Sequence, residues 1–333
     1  MLATATRQLG RTNLQVSVLG FGGHTLGSLP IAFPDAKASE AVHRAHAAGL
    51  RLFDTAPNYG RGLSEHRIGH VLRAADRNSF VLSTKVGHIM TSEGEPVDVG
   101  LGFRGAVDLS GDATRRSLAD SLQRLGLTRI DIALIHDVDL RGCKTEDVYR
   151  RRFREAMDGA YPVLRALRDD GVIRAIGVGL NDVDACLDFL NAGDFDCIMV
   201  AGRYSLLDHR QAADMLLPLC AERGIGVLLA APYNSGILAT GAHPGARFFY
   251  DRAPPDVLRQ VARLETVCAR HKVPLAAAAI QFPLRHPAVT SVVVGAGTAG
   301  EVERNIDLLS VPIPAGLWSD LQHENLIAAL GLP

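Results

Sequence analysis

Short apolar runs rich in Val, Ile and Leu recur along the chain. They are Val18–Phe21, Arg51–Asp54, Phe80–Thr84, Ile130–Ile135, Arg174–Val178, Cys197–Val200, Gly226–Ala230 and Ser291–Val294. Each is apolar on both faces, the mark of a parallel strand covered on both sides. Between them apolar positions return at helical spacing. These stretches are Ser39–Ala48, Ser64–Ala74, Ala113–Leu125, Arg150–Arg168, Val183–Asn191, Ala213–Glu222, Val257–His271 and Glu301–Leu309. In the third, Leu118, Leu122 and Leu125 share one face. A strand and then a helix, eight times over, predicts an α/β fold, a single (β/α)8 TIM barrel. A two-domain doubly wound sheet is the weaker alternative, because no Pro/Gly/Ser-rich linker or composition shift divides residues 1–333.

Four segments stand outside the repeat. Residues 7–16 read as a β-hairpin turning near Gly10–Asn13, placed to plug the bottom of a barrel. Residues 86–111 form an irregular insertion after the third strand, and residues 232–255, with Gly236, Gly241 and Gly245, follow the seventh. Insertions after strands belong to the C-terminal rim, where barrel enzymes keep their active sites. The tail, residues 314–330, is amphipathic through Leu317, Leu321, Leu326 and Leu330. It could line the pocket, cover the barrel or meet a second subunit, which leaves a homodimer open.

Composition narrows the partners. Lys plus Arg number 35 and Asp plus Glu 36, a formal charge of −1. A surface without basic excess argues against nucleic acid or an anionic membrane as a partner. No apolar run approaches the ~18 residues of a membrane span. The first residues are polar, without a signal-peptide core. The five cysteines, Cys143, Cys186, Cys197, Cys220 and Cys268, show no CxxC spacing and read as small buried hydrophobes of a reducing compartment. A cytoplasmic enzyme acting on small molecules is expected.

The strand ends hold the chemistry. The second strand ends in Asp54, followed by Thr55-Ala56-Pro57-Asn58-Tyr59-Gly60, and the third in Lys85. The fourth ends in His136-Asp137 and the fifth runs into Gly177-Val178-Gly179-Leu180-Asn181. In a closed barrel an acid, a phenol, an ammonium and an imidazole would converge on one rim. Singly, each is more often a cap, a packing ring or a solvated charge. Paired His/Asp ligands at several strand ends, which a metal-dependent hydrolase or aldolase would need, are missing, and no metal is expected.

These residues resemble the aldo-keto reductases over nearly the whole chain, from about Leu9 to Leu309. Leu9-Gly10-Arg11-Thr12 with Leu19-Gly20-Phe21-Gly22-Gly23 is similar to the family's opening. Phe53-Asp54-Thr55-Ala56 with Tyr59-Gly60 and Ser64-Glu65 is similar to its first signature. Thr84-Lys85, Leu134-Ile135-His136 and Ile176-Gly177-Val178 follow in order. The resemblance implies a catalytic tetrad of Asp54, Tyr59, Lys85 and His136. Hydride transfer between a nicotinamide and a carbonyl needs a group that gives or takes a proton at the oxygen. A phenol of pKa ~10 is too weak a base near neutrality unless an ammonium lowers it. Lys85 is expected to supply that charge, Asp54 to hold Lys85, and His136 to orient the substrate oxygen. An intact tetrad argues against a non-catalytic binding subunit on the same barrel.

The eighth strand runs into Gly295-Ala296-Gly297-Thr298-Ala299-Gly300, a literal G-x-G-x-x-G. A Rossmann reading fails, because no further strand with an acidic end follows ~20 residues on. In a barrel this loop and the next helix N-terminus form a phosphate site instead. By resemblance, Gly22, Gly23, Gly295, Ala296, Gly297 and Thr298 hold the cofactor, with Glu301 and Asn305 at its adenosine end. Family members that use NADP commonly carry Arg where Glu301 stands and often Lys at Gly295. A carboxylate repels a 2′-phosphate and accepts from a ribose hydroxyl, so NAD is preferred over NADP. The resemblance gives Asn181 the role of binding the nicotinamide carboxamide. Gly202-Arg203-Tyr204 replaces an expected Gln, with Tyr204 kept as a cofactor residue. Ala230 stands where an aromatic usually stacks on the nicotinamide, and Tyr233 stacks only in another register.

These variants resemble a subgroup of the family that oxidises L-fucose, L-galactose or D-threo-aldoses at C1, or pyridoxal, with NAD. The expected reaction is NAD-dependent oxidation of an aldose to its lactone. Pyridoxal 4-dehydrogenation and general aldehyde or ketone reduction are the alternatives. His24, Asn58, Asp137, Tyr233 and Asn234 are the polar rim residues expected to hold the substrate.

Overall fold

A computed structural model describes residues 2–27, 33–92 and 101–328. Parts of two predicted segments, residues 93–100 of the rim insertion and 329–330 of the tail, lie outside the described residues, as does Leu330. Eight parallel strands close a barrel. They are β1 (Leu19–Gly22), β2 (Leu52–Asp54), β3 (Val81–Val86), β4 (Ile132–His136), β5 (Ala175–Leu180), β6 (Cys197–Ala201), β7 (Gly226–Ala230) and β8 (Val289–Gly295). They pair in sequence order, and β8 returns to β1. Every predicted strand is present, most extended or shifted by a residue or two.

Strand alternation sorts each side chain to one of two cores. On β4, Ala133 and Ile135 face the helices, while Ile132 and Leu134 face the barrel axis. His136 is next in that inward series. On β3 the series is Val81, Ser83 and Lys85, and on β2 it is Leu52 and Asp54. The polar groups therefore stand on top of the apolar residues that fill the barrel.

From below, the interior is sealed by the N-terminal hairpin, Thr6–Gln8 paired with Gln15–Ser17. Its turn drives Leu9 and Leu14, with Val16, into contact with Leu52, Val81, Leu134 and Leu228. Arg11 donates its backbone N–H to the Gly224 carbonyl at 2.8 Å. Gly10 is required there: its φ is +53°, and a Cβ would meet the Gly224 oxygen at 2.5 Å.

Three features depart from the expected pattern. The described part of the insertion after β3 includes a regular pair: His88–Thr91 runs antiparallel with Arg104–Val107. Its strands project from the barrel with mixed exposure, so they lack a clean alternation. Helix Leu275–Gln281 has no counterpart in the reading, because its run of alanines is buried all round and shows no polar face. The stretch 150–168 is two helices, Glu146–Glu155 and Tyr161–Asp169, joined through a π-helical turn at Ala156–Ala160. Pro162 follows directly and removes one N–H from the ladder.

The tail covers the barrel's outer layer. Helix Ala315–His323 buries Leu317 and Leu321, and Trp318 lies 6.2 Å from the Phe282 ring. No helix of the described residues is long and apolar enough to cross a membrane.

Candidate active site

The C-terminal ends of the strands open into a cavity of about 520 Å³. Asp54, Tyr59, Lys85 and His136 all line it. Register explains how they meet. Asp54 pairs with Ser83, and Lys85 is the next inward residue on β3, so its stem reaches across the barrel mouth. Gly179 on β5 leaves room for it: a Cβ there would lie 3.3 Å from Lys85 Cε. The Lys85 ammonium donates to both Asp54 oxygens, at 2.9 and 2.7 Å, and to the Thr55 carbonyl at 2.8 Å. It lies 4.6 Å from the centre of the Tyr59 ring.

The protonation states follow from this geometry. Burial raises the Asp54 carboxyl above its ordinary value, opposed by Lys85. The Tyr59 phenol is pushed well above its ordinary value, first by burial and then by the charge of Asp54 and Asp137. The expected lowering by Lys85 is thus not what the isolated chain provides. Two carboxylate oxygens cap that ammonium, and the pair presents a dipole instead of a net charge. Tyr59 rests as a neutral phenol, a proton donor.

His136 is held well below its ordinary value, by burial and then by Lys85, His88 and His24. Its Nδ1 is buried without a hydrogen-bond partner. An orphaned acceptor is more tolerable than an orphaned N–H, so the proton belongs on Nε2. Nε2 is 3.6 Å from Asp137 Oδ1. The site can therefore donate from two neutral groups, a phenol and an imidazole N–H, toward one oxygen.

The remaining predicted residues divide. Gly22, His24, Asn58, Asp137, Asn181, Tyr233, Asn234 and Gly295 line the cavity. Asn58 accepts from Arg61. The Asn181 side chain donates to Asp137 and Asp139, both at 3.1 Å. Tyr233 donates its hydroxyl to Asn305 Oδ1 at 3.1 Å. Asn234 donates to the Gly202 carbonyl, and its Oδ1 is buried without a donor. Tyr204 is not part of the cavity wall: it is fully buried, 5.1 Å from the Phe282 ring. Gly23 packs against Ser64 and Asp54.

At the loop after β8, Thr298 caps helix Ala299–Ser310 by accepting from the Glu301 N–H at 3.2 Å. Glu301 Oε2 in turn accepts from the Gly297 N–H at 2.6 Å. The carboxylate thus closes the loop in the manner of a capping box. A dinucleotide fits these residues. Gly22 and Gly295 pair on adjacent strands and both line the cavity, and a Cβ on Gly22 would meet the Gly295 nitrogen at 3.2 Å, so bare backbone walls the cavity there. The helix N-terminus stands beside it.

A family model described as aldo/keto reductase matches residues 18–323. The chain belongs to that family. Among curated aldo/keto reductase relatives, it is 38% identical to a D-threo-aldose 1-dehydrogenase from a Pseudomonas species, over 94% of this chain and 95% of that protein. It is 37% identical to a pyridoxal 4-dehydrogenase from Microbacterium luteolum, over 98% and 99%. Among solved structures it resembles the holo form of an aldo-keto reductase from Bacillus halodurans, with a TM-score of 0.75, 26% identity, and coverage of 99% and 98%. The protein is an oxidoreductase of the aldo/keto reductase type.

Several residues in and behind the cavity wall of this aldo/keto reductase have no role in the sequence reading. Arg203, standing where a glutamine was expected, donates to the Asn181 carbonyl at 2.6 Å and to Asp208 at 2.8 Å. It braces Asn181 from behind. Arg141, Phe249 and Tyr250 line the cavity itself. The signal for the last two was the run Phe248-Phe249-Tyr250 in a chain with only 5% aromatic residues.

Proposed function

We propose that this chain is an NAD-dependent dehydrogenase that oxidises an aldose at C1 to its lactone. The Asp54–Lys85 pair beneath Tyr59, with His136 beside it in a one-ended cavity, supports the reading most directly. A relative named for aldose 1-dehydrogenation supports the substrate class. A bound nicotinamide supplies the hydride acceptor. After losing its own proton to solvent, Tyr59 takes the proton of the anomeric hydroxyl as a phenolate, and His136 Nε2–H holds the same oxygen while its bond to carbon becomes a carbonyl. Lys85 and Asp54 fix the phenol from below. Gly22, Gly295 and the loop to Thr298 hold the dinucleotide, and Asn181 its carboxamide.

NAD is the proposed cofactor because Glu301 places a carboxylate at the adenosine end, where a 2′-phosphate would be repelled. All five cysteines are buried and unpaired, which suits a reducing cytoplasm. Pyridoxal is the second substrate reading, supported by the similarity to a pyridoxal dehydrogenase.

An absorbance screen at the NADH band with L-fucose, L-galactose, D-arabinose and pyridoxal tests this. Turnover of a sugar with NAD is expected. A ten-fold better kcat/KM with NADP would sink the cofactor assignment, and turnover of pyridoxal alone would replace the substrate.

A further inference from the structure

The tip of a small hairpin, Arg247–Phe248 paired with Asp251–Arg252, contributes to the cavity wall. Only Phe249 and Tyr250 connect its strands, and both have positive φ, +47° and +72°. That is the backbone of a type I′ turn, which normally takes Asn-Gly because a side chain is strained there. Two bulky aromatics are the least comfortable choice for such a tip. The backbone of the turn gains nothing from them.

Both rings point to a use in the cavity, which they line. Phe249 is wedged against Gly202, where a Cβ would come within 3.2 Å of its ring, and Arg203 stacks on it at 4.1 Å. Tyr250 is 51% exposed, yet it is held in place. Arg141 stacks on its ring at 4.7 Å and donates to the Phe249 carbonyl at 3.4 Å. The Tyr250 N–H donates to Ser235 Oγ at 2.8 Å. The ring of His24, which lies edge-on to Tyr59, is 6.1 Å away. A clamped, half-exposed aromatic at a cavity mouth is a stacking surface.

Asp137 adds the polar contact. Its Oδ1 faces Asn181 and His136. Among the described residues its Oδ2 has no hydrogen-bond partner, and Asp137 lines the cavity beside His136. We propose that the substrate's ring stacks on Tyr250 while Asp137 Oδ2 accepts from one of its hydroxyls, so that the site selects a closed ring over an open-chain carbonyl compound. This rests on the aldose reading, and it applies equally to the pyridine ring of pyridoxal.

The test compares L-fucose oxidation with reduction of open-chain glyceraldehyde, both in the NAD/NADH couple. For Tyr250→Ala the ratio of kcat/KM for L-fucose to that for glyceraldehyde should fall about ten-fold, mainly through KM. Tyr250→Phe should restore it, since stacking needs no hydroxyl. The double variant Phe249→Asn with Tyr250→Gly, whose tip suits the turn, should keep a melting temperature close to wild type, because relaxed backbone offsets lost ring packing, and yet lose the ring preference. An unchanged ratio in Tyr250→Ala, or loss of activity in equal proportion on both substrates, overturns the proposal. Wild-type protein that turns over glyceraldehyde but none of L-fucose, L-galactose, D-arabinose and pyridoxal overturns the aldose reading itself, and the ring selection with it.

Discussion

The Lys85 ammonium and the Asp54 carboxylate meet at 2.7 and 2.9 Å with almost no solvent around either. Removing one partner leaves the other charge buried and alone. Asp54→Asn should therefore cost about 3–5 kcal/mol of stability. Urea unfolding of the two proteins checks this. A loss under ~1 kcal/mol would mean that water reaches the pair.

Tyr59→Phe should abolish turnover while cofactor binding persists, as read by quenching of the fluorescence of Trp318 or by calorimetry. The resting phenol is held well above its ordinary value by burial. Its deprotonated form, the base that alcohol oxidation needs, therefore grows with pH. Oxidation should rise across pH 7 to 10 without a plateau, while carbonyl reduction, which uses the neutral phenol, stays level. Near-normal turnover in the phenylalanine variant would remove Tyr59 from the chemistry.

Glu301 has two jobs in this reading, and one substitution separates them. Glu301→Arg should shift the kcat/KM ratio toward NADP by ten-fold or more, since a cation replaces a carboxylate near the 2′ position. It should also cost about 0.5–2 kcal/mol, because the Gly297 N–H loses its acceptor and the helix its box. Kinetics with both cofactors and a melting curve read the two effects. An unchanged cofactor ratio with the stability loss intact would leave Glu301 as a cap alone.

The barrel was legible because each strand is covered on both faces and therefore apolar throughout, a pattern that survives without tertiary knowledge. Asp54, Lys85 and His136 were legible because they end such strands. Arg203 and Tyr250 were not. Arg203 acts through the backbone of Asn181, and nothing in the local sequence announces a partner across a barrel. Tyr250 sits in a two-residue turn whose composition violates turn preference, so turn chemistry misleads there. Tyr204 was misplaced for a related reason. Gly202, with φ +69°, turns the chain after β6, and the residues beyond it return to the packing layer against Phe282.

The plug at the barrel's bottom ties an early stretch of the chain to late ones in time as well as in space. Arg11 bonds to Gly224 at 2.8 Å, and the Arg7 guanidinium donates to the Val289 carbonyl at 2.7 Å. A ribosome releases Arg7 long before Val289 exists. During synthesis Leu9 and Leu14 must wait, uncovered, until β7 and β8 arrive to complete their pocket. Residues made early are among the last to be buried, so an unfinished chain exposes its own stopper as a sticky patch.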